Sequence, residues 1–231
     1  MTSRKHEHDR ALSVFNKMVD DADPYRIVVF GKIIPVLPGV FSPKYFSDVK
    51  WFAKAVPKIV GARSFLEIGT GTGVISLFVA LCGAKKKIVA TDINPTAAKN
   101  ARCTFRLHRL PIQVRVGDVF QPIFPKEKFD VIFWNHPFHF SKSKPKNMLE
   151  RGGYDYQYRS LRAFFSGAKQ YLTSDGEVLL GTSKNARLDL IRKFAREYGY
   201  RCRLIKKQEI PSEHRKGVTI DVRVYSFRVQ K

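Results

Sequence analysis

Several things are scarce in this chain, and each scarcity excludes something. It has 3 cysteines in 231 residues, Cys82, Cys103 and Cys202, with no CxxC pair. An odd, scattered set argues against a disulfide framework or a thiolate zinc cluster and fits a reducing compartment, so a cytoplasmic location and no metal site are expected. No apolar run approaches the roughly 18–20 residues that a membrane helix needs, and no membrane partner is expected. The first ten residues, MTSRKHEHDR, lack the apolar stretch of a secretory leader. There is no internal repeat and no low-complexity segment. Acids are also in short supply: 20 Asp and Glu stand against 42 Lys and Arg, for a formal net charge of +22. That imbalance points to a polyanionic partner, most simply nucleic acid. Residues 142–216 hold 18 Lys and Arg against 8 Asp and Glu, so the excess is enriched toward the C-terminal half without forming a tail.

What the chain does have is the material of a folded core. It is 44% hydrophobic, with 18 Phe, 9 Tyr and 2 Trp that demand burial. Its length suits one domain with a short appendage. Residues 1–23 read as a polar helix, with Leu12, Phe15 and Val19 at helical spacing, ended by Asp23-Pro24. A small hairpin from Arg26 turns at Gly31-Lys32, and a helix follows at about 44–57. From residue 63 apolar strands alternate with amphipathic helices, which implies βαβ units and a parallel sheet covered on both faces. The expected strands are Ser64–Ile68, Lys87–Thr91, Gln113–Val116, Phe129–Trp134 and Glu177–Thr182, with helices near 73–83, 95–107, 157–172 and 186–198. Arg201–Gln208 and Val218–Val229 close the chain, and the loop between them is too short for a helical crossover, so this pair is antiparallel. That ending separates the chain from a dinucleotide-binding dehydrogenase.

The strongest local signal is Leu66-Glu67-Ile68-Gly69-Thr70-Gly71-Thr72-Gly73, a strand, a glycine-rich turn and a helix start. The spacing is G-x-G-x-G, not the G-x-G-x-x-G that seats a pyrophosphate, so a nucleoside without a diphosphate is the preferred ligand. Glu67 repels a phosphate there but suits a cationic ligand. Asp92 ends the next strand, where a carboxylate can accept both ribose hydroxyl hydrogens. Asp118, in Val116-Gly117-Asp118-Val119, follows the third strand and can hold an adenine amino group.

Taken together, Glu67, Gly69, Gly71, Gly73, Asp92 and Gly117-Asp118 resemble the successive motifs of class I S-adenosylmethionine-dependent methyltransferases. The resemblance covers roughly residues 38–231. It implies an α/β, Rossmann-like, seven-stranded, mostly parallel sheet ending in an antiparallel hairpin, with helices on both faces. Residues 1–60 would then be an N-terminal helix-and-hairpin extension and 61–231 the cofactor-binding domain. It also implies S-adenosylmethionine held by Glu67, Gly69, Thr70, Gly71, Gly73, Asp92, Ile93, Asp118, Val119 and Asn135.

The segment Phe129-Asp-Val-Ile-Phe-Trp-Asn-His-Pro-Phe-His-Phe140 runs from a buried strand into a polar, aromatic loop. It resembles the Asn-Pro-Pro-(Tyr/Phe) motif of methyltransferases that modify planar NH₂ groups, either exocyclic base amines or a glutamine amide. Such a nitrogen is a poor nucleophile because its lone pair is delocalised. The Asn135 side-chain oxygen and the carbonyl of residue 136 can each accept one N–H and align that lone pair, while Phe138 stacks on the plane, worth about 1–3 kcal/mol for a base. Asn135, His136, Pro137 and Phe138 are therefore the candidate catalytic residues. His136 departs from the motif's first proline and brings an imidazole that could accept a proton.

Asn135 through Phe140, with the lead-in Leu37-Pro-Gly-Val-Phe-Ser42, is similar to the "methyltransferase small" branch, which includes ribosomal RNA guanine-N2 and protein-glutamine N5 methyltransferases. In that branch the lead-in helps close the cofactor pocket. Tyr154, Tyr156 and Tyr158, interleaved with Arg151, Arg159 and Arg162, suit either base stacking with phosphate contact or a helix start with half-buried tyrosines. The leading expectation is N-methylation of a base in rRNA or tRNA. Protein glutamine or a small molecule is the alternative substrate, and a non-catalytic RNA-binding module the alternative class. The oligomeric state, monomer or dimer, is open.

Overall fold

In the computed structural model, residues 14–84, 86–212 and 217–230 are described. Leu12 of the expected N-terminal helix lies outside them. A helix over residues 14–20, α1, precedes the hairpin of β1 (Tyr25–Val29) and β2 (Lys32–Val36). Helix α2 (Ser47–Val60) leads into β3 (Phe65–Ile68), α3 (Val74–Leu81), β4 (Ile88–Asp92), α4 (Pro95–Leu107) and β5 (Gln113–Val116). Strand β6 (Phe129–Asn135) is followed by an excursion made of β7 (His139–Ser141), α5 (Met148–Gly153) and β8 (Tyr154–Tyr156). Helix α6 (Arg159–Ala168), β9 (Leu172–Ser183), α7 (Leu188–Glu197), β10 (Tyr200–Pro211) and β11 (Thr219–Val229) complete the chain.

Seven strands form one sheet in the order β10-β11-β9-β6-β3-β4-β5. Strands β5, β4, β3, β6 and β9 are parallel, and β11 runs antiparallel to both β9 and β10. This is the Rossmann-like sheet with a terminal antiparallel hairpin that the motifs implied. Because side chains alternate across a strand, each central strand feeds two cores. Phe65, Val131 and Phe133 pack with α2 and α3 on one face, while Leu66, Ile132 and Trp134 pack with α6 and α7 on the other.

The helices start where local chemistry satisfies their free N–H groups. The Asn94 side chain accepts from the Thr96 N–H, with Pro95 opening α4. Buried Asp155 accepts from the N–H groups of Ser160 and Leu161 at 3.1 and 2.8 Å, which sets the start of α6. Helix α2 runs through Pro57 to Val60, three residues past the expected end. Pro57, Val56 and Val60 are all buried, so packing outweighs the hydrogen bond that proline removes. A third, smaller cluster of Phe15, Met18, Leu149 and Tyr154, packed with Phe41, Tyr45 and Phe46, joins α1 to the excursion after β6. Among the described residues no helix is long and apolar enough to cross a membrane.

Candidate active site

The parallel strands end together, and their carboxyl edge opens into one cavity of about 1120 Å³, the place where open α/β sheets bind ligands. After β3 the chain turns through Gly69 (φ +64°) and Gly71 (φ +55°) before entering α3. A Cβ at 69 would stand 2.9 Å from Trp134 Nε1, so only glycine lets this turn lie against the end of β6. Thr70, Gly69 and Gly71 line the cavity, whereas Gly73 is outside its wall. A Cβ at 73 would meet the Phe105 ring at 2.9 Å, so that glycine serves the approach of α3 to α4.

The two acids of the floor are held by the turn itself. Glu67 Oε2 accepts from the Thr70 hydroxyl at 2.8 Å, the Ser76 hydroxyl at 2.5 Å and the Ser76 N–H at 3.2 Å. Burial pushes its carboxyl up to about 7, and these hydrogen bonds offset the rise only in part. Asp92 accepts from the Gly71 N–H at 2.8 Å and the Asn94 N–H at 2.9 Å, and burial raises its pKa too. Ile93, Asp118 and Val119 continue the same wall. Asp118 is half-exposed and faces Arg151 of α5, with Nη2 to Oδ2 at 2.9 Å, so the third acid reaches across to the excursion.

Asn135, His136, Pro137 and Phe138 line the cavity where β6 ends. Asn135 Nδ2 donates to Asp48 Oδ2 at 3.3 Å, and its buried Oδ1 has no partner among the described residues. His136 is not poised as an exposed base. Its Nε2 lies 3.0 Å from Thr182 Oγ1, its ring packs edge-on to Trp134, Phe138 and Tyr158, and burial pushes its pKa down to about 3. It stands in the place of the motif's first proline, buried and with its imidazole neutral. Tyr158, fully buried, donates its hydroxyl to the Phe138 carbonyl at 2.6 Å and so ties the loop to α6.

The interleaved tyrosines and arginines therefore divide. Tyr158 belongs to the core, and Tyr154 and Tyr156 line the cavity beside His139. The Arg159 guanidinium lies over the Tyr156 ring, 5.0 Å from its centroid. Lys144, Lys146, Arg151 and Arg159 place four cations on the same wall. Phe41 of the lead-in lines it as well, stacked on Phe46 with ring centroids 4.1 Å apart. Asp48 and Phe15 also face the cavity, and neither stands in a motif that would mark it from sequence.

Comparison with known proteins agrees with this geometry. The model of the methyltransferase small domain matches residues 32–209. A Methanocaldococcus jannaschii protein, provisionally named as a protein N5-glutamine methyltransferase, is 33% identical over 65% of this chain and 77% of its own length. Ribosomal RNA small subunit methyltransferase C of Buchnera aphidicola is 29% identical over 72% of this chain, which spans 45% of that enzyme. In fold, the chain is similar to the T. thermophilus 16S rRNA N2 methyltransferase solved with AdoMet and guanosine, with a TM-score of 0.61 at 18% identity over 90% of this chain and 50% of that one. A glycine turn that a Cβ would block, two buried acids and a matching family model lead to one conclusion: this chain belongs to the methyltransferase small family and is an S-adenosylmethionine-dependent methyltransferase.

Proposed function

We propose that the protein N-methylates a planar NH₂ group of a base in RNA, working in the cytoplasm. The observation that carries this reading is the acceptor of Asn135, without a partner among the described residues, at the end of a cavity that also bears Lys144, Lys146, Arg151 and Arg159. S-adenosylmethionine, when bound, supplies a methyl group on a positively charged sulfur. The residues suited to hold it are Glu67, Gly69, Thr70 and Gly71 at the turn, Asp92 and Ile93 at the ribose, and Asp118 and Val119 at the adenine. Gly73 supports the turn from behind.

The chain's own contribution is alignment. Asn135 Oδ1 and the carbonyl of His136 accept the two N–H bonds of the target amine, which turns its lone pair toward the methyl carbon. Phe138 offers a ring face to the base, and four cations with Tyr156 meet the flanking phosphates and bases. The cavity exceeds the usual several hundred Å³ of a small-ligand site, leaving space for a substrate group beside the cofactor.

The likeness to the Methanocaldococcus protein favours a second reading, N5-methylation of a protein glutamine, since a carboxamide presents the same planar NH₂. One experiment separates the two: transfer of labelled methyl groups from S-adenosylmethionine into total RNA, protein and small-molecule fractions of a cell extract. Label in RNA supports the base-methylating reading, and label in protein alone overturns it in favour of glutamine. Asn135→Ala is expected to bind the cofactor as before and lose at least about a hundredfold in transfer rate, as misaligned reactants do. Full turnover by that variant would refute the assigned role.

A further inference from the structure

Asn135 can serve as an acceptor only if its amide points the right way, and two residues outside the motif decide that. The reading rests on the role proposed above for Asn135. The amide has a donor end and an acceptor end of nearly the same size, so its own rotamer does not choose between them. Asp48, in the first turn of α2 and 6% exposed, lies beside it. A carboxylate accepts hydrogen bonds and does not donate, so Asp48 Oδ2 draws the Nδ2 end to itself, at 3.3 Å. The reversed amide would set two acceptors against each other at that distance and turn an NH₂ toward the substrate's NH₂.

The other end is shaped by β9. Asn135 is paired with Gly181 across the β6–β9 ladder. A Cβ at 181 would stand 3.1 Å from Asn135 Oδ1 and 3.0 Å from the Phe52 ring. Contacts that short force a neighbour to move, and the ring of fully buried Phe52 has little room to do so. Gly181 thus keeps free the space around an acceptor that has no partner among the described residues.

We propose that Asp48 and Gly181 are positioning residues for methyl transfer: Asp48 fixes the amide orientation of Asn135, and Gly181 keeps its oxygen uncrowded. Both are far from the motif in sequence, 87 residues away in the case of Asp48. They act through Asn135, without touching the reacting atoms.

The test uses the full chain with S-adenosylmethionine and whichever extract fraction accepts label. Asp48→Asn keeps size but can donate as well as accept, so it satisfies either orientation of Asn135. We expect it to lower kcat on the order of tenfold or more, with KM and cofactor Kd each within about twofold of wild type. Gly181→Ala is expected to do the same by crowding Oδ1. A second readout needs no methyl acceptor: the side-chain amide resonance of Asn135, identified by its loss in Asn135→Ala. It should be protected from hydrogen exchange in the wild type and less protected in Asp48→Asn, where the reversed orientation leaves the Asn135 NH₂ facing the cavity. Wild-type turnover in Asp48→Asn, or an Asn135 amide signal that the substitution leaves unchanged, overturns the proposal. If Asn135→Ala is inactive while Asp48→Asn and Gly181→Ala turn over normally, only this inference falls. If Asn135→Ala itself turns over normally, the functional reading falls with it.

Discussion

At the scale of single residues, burial shifts the pKa of groups in the site, and two of these shifts give opposite pH dependences. Glu67 is buried with its carboxyl raised to about 7 from an ordinary 4.5. Between those values the native state binds more protons at Glu67 than the unfolded chain does, so its contribution to stability falls as pH rises through that window. The span corresponds to roughly 3 kcal/mol. Glu67→Gln keeps an oxygen for Ser76 and Thr70 without burying a charge. It should therefore melt higher than wild type at pH 8.5 and lose that advantage at pH 4; equal shifts at both values would show that charge burial is not the cause. His136 works in the other direction, because burial lowers its pKa to about 3 from 6.5. Below pH 6.5 the unfolded chain takes up a proton that the native state refuses, so stability is lost as pH falls. With its pKa that low, the imidazole is expected to take no proton across the range in which transfer is measured. Transfer rates measured from pH 5.5 to 8.5 are expected to have the same profile shape in wild type and His136→Gln. An inflection near 6.5 present only in the wild type would restore the imidazole as a proton acceptor.

At the scale of elements, α1 and the excursion after β6 form one wall of the cavity, and their contact is tight enough to predict from. A Cβ placed on Gly153 would run into the Phe15 ring, and one on Gly152 would stand 3.0 Å from Phe41. Overpacking of this kind typically costs about 1–3 kcal/mol, so Gly153→Ala should lower stability by that order in a urea titration. Combined with Phe15→Ala, which removes the obstructing ring, the loss should be clearly smaller than the sum of the two single effects. Additive losses would mean that Phe15 does not seat there. The excursion was also the part least legible in the sequence, whereas α1 lies within the helix read over residues 1–23. The sheet strands and α3, α4, α6 and α7 announce themselves through apolar periodicity, and the strand ends carrying Gly69, Asp92 and Asn135 follow from them. Strands β7 and β8 have three residues each and α5 has six, too few for a period to register. Tyr158 looked as available for stacking as Tyr156, since only the left-handed backbone at 157 and 158 turns it into the core. Asp48 escaped notice for a different reason: its meaning depends on a contact with Asn135 that α2 makes across the fold.

For the whole molecule, the question is what a net charge of +22 does when the proposed alignment by Asn135 and the His136 carbonyl uses no cation. Part of it is consumed internally: Arg63 pairs with Glu177, Arg115 with Glu127, and Lys207 and Arg223 with Asp221. Lys144 and Lys146, on the cavity wall, make no ion pair among the described residues, and both stand in the stretch richest in Lys and Arg. If they meet phosphates, binding releases counterions, and affinity falls with salt in proportion to the number of contacts. Four contacts from Lys144, Lys146, Arg151 and Arg159 predict a slope of about −3 in log K against log salt for a single strand, at roughly −0.7 per phosphate. Replacing Lys144 and Lys146 together by alanine should make that slope shallower by about 1.4 and weaken binding across sequences alike, since phosphates carry no base identity. Fluorescence titration of a labelled single-stranded RNA from 50 to about 300 mM salt would measure both slopes. An unchanged slope in the double variant would place the phosphate contacts elsewhere on the basic surface, and a flat dependence in the wild type would argue for a protein substrate, whose recognition does not displace a condensed counterion layer.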